Sequence, residues 1–124
     1  MDCDFKIELN EAMIAKIEKA QTEALKQTGH TLLTDMVQKQ VMPFNTGEMQ
    51  NNRTFVETPS KQEVVIRTSA PQARRLYFHP EYNFQQGKNK NAGGRWFDRY
   101  LPGGTDEKLP AQHFAFNLRR RLGL

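Results

Sequence analysis

The sequence predicts an α+β fold, in which a long N-terminal helix and a C-terminal helix pack on a small antiparallel β-sheet, with a long polar loop. Residues 10–41 contain no proline and place apolar side chains at helical spacing. Residues 54–68 hold two runs rich in β-branched side chains, and the last fifteen or so residues again show helical spacing. A chain of 124 residues can bury one modest core, so we expect a single domain over residues 1–124.

The first helix is predicted over residues 10–41, after a flexible start at residues 1–9. Asn10 has the side chain of an N-cap, and Pro43 disfavours helical geometry at the residue before it. Gly29 costs about 1 kcal/mol inside a helix, so it is the position at which we expect a kink or a break.

A turn is predicted after this helix, in the sequence PFNTG. Pro43, Thr46 and Gly47 are its structural residues, and Gly47 is free to adopt positive φ. The two strands that follow, 54–58 and 63–68, are separated by Pro-Ser-Lys and predict an antiparallel hairpin.

The second half of the chain alternates short elements with polar connections. Residues 71–78 predict a short helix, 96–100 an aromatic strand or turn, and a last helix opens near Pro110. Residues 83–95 contain only two apolar side chains and are predicted to form an extended loop, which at this length is uncommon in a small domain unless it is functional or disordered.

The sequence gives little support to catalysis or to metal binding. Its histidines, His30, His79 and His113, have no ligand spacing, and no nucleophile, zinc or phosphate-loop motif is found. Cys3 is the one cysteine, which excludes an intrachain disulfide. We therefore expect no enzyme, no cofactor and no metal. No apolar run approaches the roughly 20 residues of a membrane helix, so we expect a cytosolic protein without a membrane partner.

Basic and aromatic residues gather in the C-terminal half. The chain has 18 Lys and Arg against 14 Asp and Glu. The candidate interface combines arginines and lysines with two aromatic residues: Arg74, Arg75, Tyr82, Phe84, Lys88, Lys90 and Arg95. Three interpretations stay open: aromatics that close the core beside solvated cations, a nucleic-acid surface in which cations bind phosphates and aromatics stack on bases, and a protein interface.

The order of motifs resembles that of the minor capsid proteins of tailed bacteriophages, which are related to head–tail joining and tail-completion proteins. The resemblance spans nearly the whole chain: a long helix, PFNTGEM at 43–49, a hairpin, ARRLYFHP at 73–80, NAGGRWF at 91–97, and a closing helix with Phe114. The segments YFHPE and AGG-x-WF are its most specific parts.

This resemblance implies a structural virion protein of a long-tailed phage or prophage, made in the bacterial cytoplasm and added to the neck. Its partners would be the connector or adaptor, the tail terminator and further copies of itself in a ring, with DNA passing nearby. The acidic-leaning first helix and the basic C-terminal half are candidates for complementary patches between subunits. We expect the 83–95 loop to be flexible in the free subunit and ordered on assembly.

Overall fold

The computed structural model, which describes residues 3–43, 48–51, 53–84 and 86–124, confirms the α+β fold. Its elements, in chain order, are α1 (Glu11–Gln38), α2 (Glu48–Asn51), β1 (Thr54–Ser60), β2 (Glu63–Thr68), α3 (Ala73–Phe78), a 3₁₀ turn (Asp98–Tyr100) and α4 (Leu109–Leu122). The predicted turn residues Thr46 and Gly47 lie outside the described residues.

The ends of α1 are set by two different residues. At its start the Asn10 side chain accepts a hydrogen bond of 3.1 Å from the Met13 N–H, as expected of an N-cap. At its end the prediction of residue 41 is wrong, because the helix stops at Gln38. Gln40 has a φ of 56°, in the left-handed region, so the chain leaves the helix before Pro43 can act on it.

Gly29 does not break α1, which runs through it without interruption. It is buried, and a Cβ at this position would lie 2.5 Å from Val64 Cγ2 and 2.9 Å from Val56 Cγ1. Glycine is therefore required by the close approach of the helix to the hairpin rather than by a change in helix direction.

The hairpin and α4 both pack on α1. β1 and β2 pair antiparallel with Val56 opposite Ile66, and the register shifts between Glu57 and Ser60. α4 runs antiparallel to α1. The Asn117 side chain donates to the Thr28 hydroxyl at 3.2 Å in a buried contact.

The core lies at the C-terminal end of α1. Trp96 is 3% exposed and packs with buried residues of α1, α2, α3 and the connections between them: Met36, Val41, Met42, Met49 and Ala73. Tyr77 contacts Trp96 edge-to-face, with ring centroids 4.8 Å apart. Residues 96–100 were predicted as an aromatic strand or turn, and Asp98–Tyr100 within them form the 3₁₀ turn.

A substitution at Gly29 tests its packing role. We expect Gly29→Ala to lower the free energy of unfolding by about 1 kcal/mol, because the overpacking cost of about 1–3 kcal/mol exceeds the gain of about 1 kcal/mol in helix propensity. In a Val64→Ala background the same change should cost less, since Val64 Cγ2 is gone and Val56 Cγ1 remains close. Urea denaturation of the four proteins measures both effects, and an equal cost in the two backgrounds would contradict this account.

Candidate interaction surface

The basic residues of the candidate interface are presented by α3. Ala73 is buried and anchors this helix, while Leu76 and Tyr77 are half-buried against the core. Arg74 and Arg75 lie on its exposed side. The Arg95 backbone N–H donates to the Tyr77 carbonyl at 3.0 Å, so the segment at 95–97 is fastened to the end of α3.

Aromatic rings and cations alternate on this face. The Arg95 guanidinium lies 5.3 Å from the Phe78 ring centroid and 5.9 Å from that of Tyr77, within the range of a cation–π interaction. The His79 and Tyr82 rings stack with centroids 4.7 Å apart and planes within 5°. Phe78 is 53% exposed and Tyr82 42% exposed, which is unusual for large aromatics. We call the exposed surface formed by Arg74, Arg75, Phe78, His79, Tyr82 and Arg95 the aromatic–basic face.

Two carboxylates, those of Asp98 and Glu81, bind side chains of this face and of the residues next to it. The Tyr77 hydroxyl donates to Asp98 Oδ1 at 2.5 Å, and Arg95 pairs with the other oxygen of Asp98 at 3.4 Å. Burial, followed by the hydrogen bond to Asp98, raises the pKa of Tyr77 from its ordinary value of 10 to about 12. The His79 Nδ1 lies 2.7 Å from Glu81 Oε1, and this hydrogen bond lowers the pKa of the exposed Glu81 carboxyl.

The second half of the predicted polar loop is bound to the end of α1. Asn89 is 5% exposed, and its side-chain amide donates to the Met42 carbonyl at 2.9 Å and to Gln50 Oε1 at 2.6 Å. Asn91 donates to the carbonyls of Lys39 and Gln40, and Gly93 donates to that of Val41 at 3.2 Å; all three acceptors directly follow α1. We call residues 89–95 the strap. The prediction that the 83–95 loop gains order on assembly is open, and amide relaxation of the free subunit tests it.

The predicted interface residues are divided between two places. Arg74, Arg75, Tyr82 and Arg95 surround α3, whereas the exposed Lys88 and Lys90 lie on or beside the strap, and Phe84 is half-buried before it. Pro43 is half-buried beside the core. The aromatics of this region have different environments: Trp96 is buried and Phe97 half-buried, but Phe78 faces solvent.

An apolar groove lies beside the aromatic–basic face, and sequence reasoning missed it. Its volume is about 650 Å³. Its walls come from α1, β2, α3, residues 96–101 and the start of α4, and they include Leu32, Val64, Ile66, Tyr77, Trp96 and Leu101. The Trp96 Nε1–H is buried and has no hydrogen-bond partner among the described residues, although such a donor costs about 1–3 kcal/mol when left unpaired.

The N-terminal arm, residues 3–19, consists of the segment before α1 and the first residues of α1, at the opposite end of the helix from the core. Every residue in it is exposed except the half-buried Ile17. The hairpin tip reaches α1 at Thr22, whose hydroxyl bonds the Lys61 carbonyl at 3.1 Å, and the end of α4 reaches it at Glu23, which pairs with Arg121 at 2.6 Å. The arm lies beyond both contacts.

Comparisons with known proteins add no relative. No family model, no curated protein and no solved structure matches the chain. Within residues 3–43, 48–51, 53–84 and 86–124, no three His, Cys, Asp or Glu side chains are grouped to hold a metal ion. No helix in this part of the chain is long and apolar enough to cross a membrane.

The Tyr77–Asp98 hydrogen bond predicts an alkaline dependence of stability. Because the folded pKa of Tyr77 lies above its unfolded value, the contribution of the neutral phenol is present below pH 10 and is lost as the pH rises towards 12. Tyr77→Phe should lower the free energy of unfolding by about 1 kcal/mol at neutral pH and flatten its decline between these pH values. Denaturant titrations across the pH series measure this, and parallel pH curves for the two proteins would exclude the proposed role of the hydrogen bond.

Proposed function

We propose that this protein is a structural, non-catalytic component of the neck of a long-tailed phage or prophage particle. In this role it forms part of a ring that joins the DNA-filled head to the tail. The proposal includes contacts with the connector or adaptor on one side and the tail terminator on the other, and residence in the virion after synthesis in the bacterial cytoplasm.

The observation that supports it is the contact between the two most specific segments of the phage resemblance. The Tyr77 ring lies against Trp96, and the Arg95 N–H bonds the Tyr77 carbonyl, so YFHPE and AGG-x-WF form one structural unit. The exposed side of this unit is the aromatic–basic face. Exposed Phe, Tyr and Arg side chains are typical of the centre of a protein interface.

The molecule also has the asymmetry that a ring requires. Neighbours in a ring meet through two different patches on each subunit, because the contact is heterologous and closes by rotation. The N-terminal arm and the aromatic–basic face differ in chemistry and are at opposite ends of α1. Each subunit can therefore use one surface towards each neighbour.

A nucleic-acid-binding role is the second candidate. It is favoured by the exposed Arg74 and Arg75 beside the stacked His79 and Tyr82 rings, an arrangement that suits phosphate contacts and base stacking. In that case the affinity of purified protein for DNA should fall steeply with salt, in proportion to the number of phosphates bound. A DNA-contacting surface within a neck channel would compete with ejection if it bound phosphate strongly, so the protein interface is preferred.

Imaging of particles made without this protein tests the neck assignment. We expect an amber mutation in its gene to yield filled heads lying beside separate, finished tails in negative-stain micrographs. Suppression of the amber codon in a permissive host should restore joined particles. Normal virions from the non-permissive host would exclude a role in the neck and would direct attention to nucleic-acid binding.

Charge removal on the candidate interface tests the surface itself. Replacing Arg74, Arg75 and Lys88 with Ala should leave the thermal midpoint nearly unchanged, because all three are exposed, but should lower the yield of joined particles about tenfold or more. The matched control removes three exposed cations elsewhere, namely Lys26, Lys108 and Arg119. Equal yields from the two triple variants would show that net charge matters, rather than the positions of Arg74, Arg75 and Lys88.

A further inference from the structure

The N-terminal arm begins with a strand pattern that has no partner. Phe5, Ile7 and Leu9 alternate with Lys6 and Glu8, which is the period of a strand buried on one face. The three apolar side chains are nevertheless 91%, 75% and 75% exposed. Alternation of this kind stabilises a chain only when the apolar face is covered, so the segment lacks the surface that its sequence suits.

An edge with complementary chemistry is open on β2. The sheet has two strands, and no backbone hydrogen bond joins β2 to any described element other than β1. Val64, Ile66 and Thr68 of β2 line the apolar groove, whereas no residue of β1 does, so the groove lies at the free edge of β2. A strand added to this edge would carry every second side chain over the groove.

The segment cannot reach this edge in its own chain. α1 is continuous, and its contact with the hairpin tip at Thr22 lies about 18 Å from Asn10 along the helix axis. Val64 packs at Gly29, about 28 Å from Asn10. The extended chain from Asn10 back to Phe5 spans at most about 17 Å, which is shorter than both distances. Leu9 is next to Asn10, so it lies even farther from β2 than Phe5 could reach. The partner must therefore be another molecule.

We propose that residues 5–9 of one copy of this chain add as a third strand to the free edge of β2 in a second copy, with Phe5, Ile7 and Leu9 over the groove. The groove offers the covering surface that these side chains lack, and the arm offers backbone groups to the open edge. Trp96 also lines this groove, together with Tyr77 and Leu101, so the added strand would meet a largely apolar wall.

Charge fixes the direction of the added strand. With Ile7 opposite Ile66, a parallel strand places Glu8 opposite Arg67, whereas an antiparallel strand places Lys6 there. Arg67 lies on the outer face of β2, where it pairs with Glu57 at 3.1 Å. Unlike charges opposite each other stabilise a sheet and like charges destabilise it, so the added strand is parallel to β2.

The same contact extends the proposed function. Each copy gives an arm to one neighbour and receives an arm from the other, which is a heterologous contact that forms a ring where the rotation closes. The inference rests on the proposed function only for that closure, because strand addition between two copies is a property of the chain itself.

Matched variants of the full-length chain test the contact. Sedimentation velocity of the wild-type chain, recorded up to millimolar concentration, should show concentration-dependent association. Ile7→Asp should raise the dissociation constant at least about tenfold, because it places a charge over the groove, whereas Lys6→Gln on the opposite face should change it less than about threefold. Both positions are exposed in the arm, so the fold is preserved. A wild-type chain that stays monomeric, or equal effects of the two variants, would overturn the proposal.

Disulfide trapping tests the partner strand and its direction. In a Cys3→Ser background, Glu8→Cys with Arg67→Cys should form intermolecular disulfides under mild oxidation, because directly opposite positions on paired strands have suitable Cα spacing. Glu8→Cys with Glu57→Cys, which lies on the distant strand β1, is the control. Better trapping of Lys6→Cys with Arg67→Cys would overturn the parallel direction, and equal trapping in the control would overturn pairing at β2. If no disulfide forms but the amber mutant gives unjoined heads and tails, the strand-addition proposal is wrong and the neck assignment stands. If the disulfide forms but the amber mutant gives normal virions, only the neck assignment is wrong.

Discussion

The fold depends on how the backbone is satisfied where α1 ends. The last carbonyls of a helix have no partner within it, and here the chain turns into the core within a few residues. Four side-chain and backbone donors of the strap bond the carbonyls of residues 39–42, with the buried Asn89 amide bridging Met42 and Gln50. Without them, polar groups would be buried unpaired beside Met36 and Met42. The strap in turn delivers Trp96 to the core and Arg95 to the end of α3, so the aromatic–basic face is a consequence of this closure.

An ionic network fixes the segment that follows. Lys39 lies 2.9 Å from Asp35 and 2.8 Å from Asp106, and Arg99 lies 2.7 Å from the same oxygen of Asp106. Tyr100 donates to Asp35 at 2.7 Å, and burial together with this bond raises its pKa. Hydrogen bonds from Lys39 and Arg99 hold the pKa of Asp106 below its usual value. The network ties the 98–106 segment to α1 through groups that are partly exposed, so it defines position more than it adds stability.

Local patterns in the sequence predicted the elements, and contacts between distant residues decided the rest. The N-cap at Asn10, the hairpin and the C-terminal helix follow from composition and spacing over a few residues. The strap does not, because Asn89 has the same local sequence signature as a loop residue and its partners are 39 and 47 residues away. Gly29 is a second residue whose role depends on distant contacts. The sequence shows that glycine is unfavourable in a helix, but it does not show that the hairpin packs too closely there for a larger side chain.

The aromatic–basic face was located in part. The residue types indicated an exposed surface around α3, which the structure assembles from Arg74, Arg75, Tyr82 and Arg95. Neighbouring aromatics have opposite environments, with Tyr77 against the core and Phe78 in solvent, because a helix of two turns carries too little periodicity to assign its faces. Lys88 and Lys90 were grouped with this face by proximity in sequence, whereas the strap carries them to the end of α1.

The continuity of α1 has a geometric consequence for how the chain can change. The arm and the groove are joined through one uninterrupted helix, so their separation and relative rotation are set by the number of residues between them. One inserted or deleted residue between residues 11 and 22 would move the arm by about 1.5 Å and turn it by about 100° about the helix axis. Substitutions on the exposed side of this stretch leave the distance and the rotation between the arm and the groove unchanged. If the arm adds to a second copy as proposed, the helix can vary in composition on its exposed side, but a change in its length would change the spacing between the two copies.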